Sequence, residues 1–350
     1  YYERSRTEVF SWFVKHLQGK NVPTEQVGDV DESPQKQESE ETLRVFVNGS
    51  PTDNRNPTIQ EDFFPPLRAP EIADAAGLQL ERARTLAALR EKTFGAFPPT
   101  PPPLDVQVEF EYRFDNGDRG TRFAFTSEEG WRLRGSLTLP RAASPPVPAV
   151  VALRPCGERR PDGTTGASED FVGRLRAPWA RIVVEPRGTG ETAWGEHMQW
   201  HLRRASAWTG RTLASLWVYD ALRALEAVRS LAYVDAQHLA LAARGDMAAV
   251  ALYAALLDGH VSTLFLQDLP ATQNAPSERD GRGPALEMLN CLRITDLPYV
   301  AGLLYPTEIV LVGECPSTYD WAEALYRRLG TPAKFRRITE LSLWEGSSGL

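Results

Sequence analysis

Five short apolar runs, at 149–153, 181–185, 238–243, 263–266 and 308–312, constrain this chain more than any other feature. Each is apolar through its interior, and helix-length stretches separate them. Strands covered by helices on both faces read in this way, so the runs predict a parallel sheet. The sequence ahead of them has a different period. Residues 106–114 alternate apolar and polar, Asp115-Asn116-Gly117-Asp118 is a hairpin turn, and 121–126 returns the chain. A third strand over 131–139 ends at Pro140, so the sheet is expected to open antiparallel and continue parallel. A long helix over about 205–231 carries Leu213, Trp217, Ala221, Leu225 and Val228 on one stripe, as a crossover packed on that sheet requires. A helix near 319–329 and a strand near 334–341 complete the pattern.

Upstream, Val9, Phe10, Phe13, Val14 and Leu17 fall at helical spacing and predict a helix over 4–17. From 19 to 70 the composition shifts to Glu, Gln, Asp, Asn and Pro, which predicts a connector with one short extended piece at 43–47. A second helix is expected over 71–91. The run Pro98-Pro99-Thr100-Pro101-Pro102-Pro103 then forbids regular structure, because proline lacks an amide donor and restricts its predecessor. The expected organisation is therefore a helix over 1–18, a connector with one helix over 19–103, and a folded module over 104–350.

A net charge of -7 without any Lys/Arg-rich run argues against a nucleic-acid partner, whose affinity comes from neutralising phosphates. No apolar stretch approaches the ~20 residues needed to span a bilayer. Cys156, Cys291 and Cys315 are widely spaced and odd in number, which excludes a disulfide scaffold and a CxxC zinc site. No cofactor and no metal are expected.

The run Leu239-Ala240-Leu241-Ala242-Ala243-Arg244-Gly245-Asp246-Met247-Ala248-Ala249 has the form of a strand, a sharp turn and a helix. With Glu185-Pro186-Arg187-Gly188-Thr189-Gly190-Glu191-Thr192 and the long helix ahead of the turn, it resembles the acetyl xylan esterase-like branch of the α/β-hydrolase superfamily over roughly 104–350. The resemblance implies an α/β-hydrolase fold: a mostly parallel central sheet with an antiparallel N-terminal edge and helices on both faces. Residues 1–17 resemble the closing helix of such a domain. Long members of this group carry a second, degenerate module after the first, and this chain is similar to that second module.

The resemblance puts Gly245 where the nucleophilic serine belongs. Its histidine base should follow the last strand, yet His16, His197, His201, His238 and His260 all precede residue 308. Asp320 or Glu314 stands in the region of the acid, without an imidazole to orient. Arg154-Pro155-Cys156-Gly157 falls where the family places an oxyanion donor, and Arg187 where a turn ties neighbouring loops. Arg154, Cys156, Gly157, Arg187, Gly245 and Asp246 are thus the expected vestigial elbow and pocket, with no catalytic residue among them.

Other candidate chemistry reads more weakly. Asp246 as a nucleophile would need a small residue where Arg244 stands, and an activating histidine. His197 and His201 share a helix face, but Met198 occupies the place of the glutamate in H-E-x-x-H. Gly188-Thr189-Gly190 lacks the third glycine and the Gly-Lys-Ser/Thr of phosphate loops. Trp194, Trp200, Trp208 and Trp217 offer aromatic faces for a glycan, although helix-spaced tryptophans also fill cores. The expected function is a non-catalytic module of a carbohydrate-esterase-like protein with a structural, assembly or glycan-binding role. The alternative is an active carbohydrate esterase whose serine triad lies upstream. Its expected partners are the preceding esterase domain, a polysaccharide and a second copy of the chain. The resemblance also implies an extracellular or periplasmic location.

Overall fold

The computed structural model describes residues 2–346, apart from 32, 35–36, 57–58, 64–66, 159–165, 177 and 275–284. The chain divides into two compact units, 1–63 and 64–350. The first contains helices α1 (Glu3–Gln18), α2 (Glu40–Leu43) and α3 (Ile59–Phe63). Gly19 ends α1 in the left-handed conformation, its N–H donating to the Lys15 carbonyl. Val9, Trp12, Phe13 and Leu17 remain exposed on α1. The extended piece expected at 43–47 does not form. A single helical turn, Glu40–Leu43, precedes it, capped by Ser39, whose hydroxyl accepts from the Thr42 N–H, and 44–47 is irregular.

The second unit begins with α4 (Ala75–Lys92), followed by strands β1 (Gln107–Arg113), β2 (Arg119–Glu128), β3 (Trp131–Leu139) and β4 (Val147–Leu153). Then come α5 (Ala167–Gly173), β5 (Ala180–Glu185), α6 (Glu196–Ala207), α7 (Leu213–Arg229), β6 (Val234–Arg244) and α8 (Asp246–Asp258). The chain closes with β7 (Thr263–Gln267), α9 (Leu297–Leu303), β8 (Glu308–Val312), α10 (Asp320–Arg328) and β9 (Phe335–Ile338). The strands form one sheet in the order β1-β2-β3-β5-β4-β6-β7-β8-β9. Pairings from β1 to β5 through β2 and β3 are antiparallel, and the remainder are parallel.

Both faces are covered, which explains the unbroken apolar runs. In β4, Ala149, Val151 and Leu153 face the larger core with α4 and α7–α10, whereas Val150 and Ala152 face Phe171, Val172, Trp179 and Trp344. The single long helix expected over 205–231 is two helices. Gly210, at φ +76, interrupts it, and Thr212 restarts it by accepting from the Ser215 N–H in a capping box. The last strand is also shorter than expected.

The compact unit begins well before residue 104. Helix α4 is part of it: Ile72, Leu78, Leu89 and Phe94 are almost wholly buried in the main core. The weak amphipathic pattern of α4 hid this, since its Ala- and Arg-rich surface carries only a few core contacts. Leu78→Ala is expected to lower the stability of the whole second unit by about 2–5 kcal/mol, the cost of an unfilled core site. Chemical unfolding of the 64–350 unit checks this, and an unchanged midpoint would make α4 an appendage.

Candidate functional site: the strand-to-helix turn at Gly245

The parallel strands end along one edge of the sheet, and the connections there build the site. At the end of β6 the chain turns through Gly245 into α8. Gly245 has φ +56 and ψ -129, a backbone conformation closed to most side chains. Its N–H donates to the Gln267 carbonyl of β7 at 3.0 Å, and its carbonyl accepts from the Ala248 N–H at 2.9 Å. A Cβ at Gly245 would meet nothing within 4 Å. The turn is fully formed, and space stands open where a side chain would rise.

A cavity of about 470 Å³ lies over this turn, lined in part by Cys156, Trp217, Arg244, Gly245, Asp246 and Asp268. The expected residues Cys156, Gly245 and Asp246 therefore converge. Arg154 and Arg187 do not line this cavity. Gly157 is exposed in a left-handed turn at φ +81.

Asp246 begins α8, and its Oδ2 accepts from the Ala285 N–H at 2.8 Å. Burial raises its pKa above the ordinary carboxylate value, against the lowering effects of the Ala285 hydrogen bond and Arg203. The Cys156 thiol donates to the Gly188 carbonyl at 3.7 Å, and burial, aided by the Asp246 charge, pushes its pKa up to about 12. A thiol in that state is not a nucleophile at neutral pH. Asp268, which the sequence reading passed over, follows β7 at φ +53 and lies 3.6 Å from Arg244. Its position directly after an apolar run was the available clue.

Two buried charge clusters hold the loops around this cavity. Arg187 pairs with Asp220 of α7 through its Nε at 2.9 Å and Nη2 at 2.7 Å, and with Glu128 at 2.7 Å. Asp220 also accepts from the Arg187 N–H at 2.9 Å and the Ser127 hydroxyl at 2.6 Å. Burial opposes the Arg187 charge, yet these two carboxylates outweigh it and raise its pKa. Arg154, 1% exposed, pairs with Glu158 at 2.6 Å, Glu169 at 2.5 Å and Glu185 at 3.4 Å. Glu185 is also 3.5 Å from Arg122, which donates to Glu191 at 2.7 Å. Arg187, expected to tie neighbouring loops, joins them through its pairs with Asp220 and Glu128, and Trp194 lies directly against the Gly188 backbone, where any Cβ would collide.

The remaining candidates are scattered. His197 and His201 are exposed on α6, and no group of three or more His, Cys, Asp or Glu among the described residues could hold a metal. His238 lies toward the start of β6, paired with Asp235 at 2.7 Å. Asp320 pairs with Arg337 at 2.5 Å, and Glu314 is exposed. Nor do the four tryptophans form one face. Trp217 is buried and donates to the Arg187 carbonyl at 2.9 Å, Trp208 is 93% exposed, and Trp200 stacks with Arg204 at 4.5 Å.

Comparison of the whole structure decides the fold. A protein from Bacteroides fragilis assigned provisionally as an acetyl xylan esterase matches with a TM-score of 0.63 and 14% identity, over 78% of each chain. A glucuronoyl esterase from Solibacter usitatus matches with a TM-score of 0.56 and 13% identity, over 80% of this chain and 94% of that one. A glucuronoyl esterase from Sporotrichum thermophile matches with a TM-score of 0.51 and 10% identity, over 81% and 86%. The chain has the α/β-hydrolase fold. No protein-family model matches its sequence, and no curated protein matches it significantly. In this α/β-hydrolase fold the Gly245 turn occupies the strand-to-helix position from which a nucleophile would be presented.

The raised pKa of Asp246 has a consequence for stability. Between the ordinary carboxylate pKa and the raised one, the folded state binds more protons than the unfolded state, so stability falls as pH rises through that window. Asp246→Asn removes the charge while keeping an acceptor for the Ala285 N–H. Its melting temperature is expected to exceed that of the parent at pH about 7, with the gap closing below pH about 4. A gap that does not change with pH would assign the effect to something other than this carboxylate.

Proposed function

We propose that this segment is a non-catalytic α/β-hydrolase module of a carbohydrate-esterase-like protein, with a structural and assembly role. The observation that carries the proposal is the turn at Gly245, which keeps its backbone geometry and the space above it but has no nucleophilic side chain. The absence of any histidine after His260 supports the same reading. So does the raised pKa of Cys156, the side chain nearest to being a substitute nucleophile. On this reading α1 closes a preceding hydrolase domain, its exposed Val9, Trp12, Phe13 and Leu17 packing there, and the serine triad of the parent lies upstream. The structural neighbours named as acetyl xylan and glucuronoyl esterases suggest carbohydrate esters as the parent's substrates, and the family resemblance implies an extracellular or periplasmic location. Among the described residues no helix is long and apolar enough to cross a membrane.

The purified segment is expected to hydrolyse neither acetylated xylan nor small acyl or uronate esters above background. Turnover that disappears in Asp246→Ala or Cys156→Ala would overturn the proposal. Gly245→Ser supplies the missing hydroxyl into open space and should fold with a loss of about 1–3 kcal/mol from the positive φ. It should remain inactive, because no base accompanies the new serine.

One observation favours glycan binding as a second reading. A cavity of about 510 Å³ is lined in part by Thr100, Glu128, Glu129, Trp131, Arg187 and Arg211. The Trp131 ring is 42% exposed and lies over the Arg187 guanidinium at 5.1 Å, so one aromatic face is braced beside carboxylates able to accept sugar hydroxyls. Calorimetric titration with xylan oligosaccharides should then give heat that Trp131→Ala abolishes. No heat at saturating oligosaccharide would remove this reading.

A further inference from the structure

Strand β1 is the free edge of the sheet, with β2 as its single neighbour. All seven of its residues are exposed, and among the described residues of the second unit no strand pairs with its outer side. An uncovered edge presents a row of unpaired N–H and C=O groups, which proteins ordinarily blunt or pair. This edge also carries an aromatic ladder: the rings of Phe110 and Tyr112 are 5.9 Å apart and those of Tyr112 and Phe114 5.1 Å. Phe110 is 56% exposed, Tyr112 37% and Phe114 39%.

We propose that β1 pairs with β1 of a second copy of this chain, antiparallel and centred on Tyr112, joining two sheets across a two-fold axis. Backbone direction limits the registers available. Phe114 donates its N–H inward to the Asp118 carbonyl at 3.0 Å and accepts from the Gly117 N–H at 2.9 Å, closing the hairpin. Hydrogen-bonding direction alternates along a strand, so Tyr112, opposite Gly120, also points inward, while Glu111 and Arg113 point their backbone groups outward. Only outward residues can form the hydrogen-bonded pairs of a new antiparallel ladder.

Charge then selects among the remaining registers. Centring on Glu111 sets Glu111 against the partner's Glu111. Centring on Arg113 sets Arg113 against the partner's Arg113, and Glu111 against the partner's Asp115. Centring on Tyr112 sets Glu111 against the partner's Arg113, and symmetry forms that pair twice. The same register lays Phe110 beside the partner's Phe114 and Tyr112 beside the partner's Tyr112, so the exposed ladder becomes a cross-strand aromatic cluster. Over 110–114, hydrogen-bond direction, charge and aromatic pairing agree at this one register, and the bulge between Val108 and Phe110 ends the regular pairing before Glu109 meets the partner's Asp115. The inference is independent of whether the Gly245 turn is catalytic.

The test is sedimentation velocity of the full chain over a wide concentration range. A concentration-dependent dimer is expected. Glu111→Arg alone and Arg113→Glu alone each place like charges opposite one another and should weaken the dimer about tenfold or more. The double variant Glu111→Arg with Arg113→Glu restores opposite charges across the axis and should restore the dimer. Circular dichroism of each variant should match the parent, since both side chains are exposed. A monomer at every concentration, or a dimer indifferent to the single reversals, would overturn the proposal. So would a double variant as weak as the singles, because only the Tyr112-centred register pairs these two positions with each other.

Discussion

The Arg187–Asp220 pair is the contact on which the site edge of the sheet depends. A buried guanidinium and a buried carboxylate are each costly to desolvate, and the pair is tolerable only when every lone pair and N–H has a partner. Here that condition draws in three separate pieces of chain. Asp220 comes from α7, Arg187 from the loop after β5, and Ser127 and Glu128 from the end of β2. Trp217, one turn before Asp220, returns a hydrogen bond to the Arg187 carbonyl. Removing one member would strand charges that solvent cannot reach. The loops are therefore fixed relative to one another, and the cavity over Gly245 inherits its walls from them.

The second cluster extends the same logic across the sheet. Arg154 leaves β4 beneath the cavity and finds Glu158, Glu169 and Glu185, and Glu185 in turn approaches Arg122 of the antiparallel edge. The two clusters brace the connections after β4 and β5 from both sides. They are also independent of what stands at position 245, so the frame around the turn has reason to persist whether or not a reaction takes place inside it.

Much of the fold was legible in the sequence because its signals are local. The two helix-covered faces produce unbroken apolar strands, and the hairpin at Asp115-Asn116-Gly117-Asp118 is set by a glycine at φ +87. The split between α6 and α7 was hidden because Gly210 sits between two segments that both suit helices. The place of α4 in the core was hidden because burial is decided by distant partners such as α9. For the site, Cys156, Gly245 and Asp246 follow strand ends and line one cavity, as does Asp268, whereas Arg154 and Arg187 lie in the charge clusters beside it. The partners of those arginines, Asp220 and Glu169, lie far along the chain, and sequence spacing gives no measure of such contacts. A lone carboxylate such as Asp220 within an otherwise apolar helix stripe was the one visible trace of the network.

The Gly245 turn shows how a strand-to-helix elbow is held by its backbone alone. In a working elbow the side chain must be held at a backbone conformation that costs about 1–3 kcal/mol for any residue other than glycine, and the surrounding structure must bear that strain. Glycine adopts φ +56 without the penalty, so this chain keeps the turn in a relaxed form. The hydrogen bonds from the Gly245 N–H to Gln267 and from the Ala248 N–H to the Gly245 carbonyl still join β6, β7 and α8. Those bonds need the backbone path and make no use of a hydroxyl. Stability thus favours retaining the turn and is indifferent, or mildly opposed, to retaining a nucleophile.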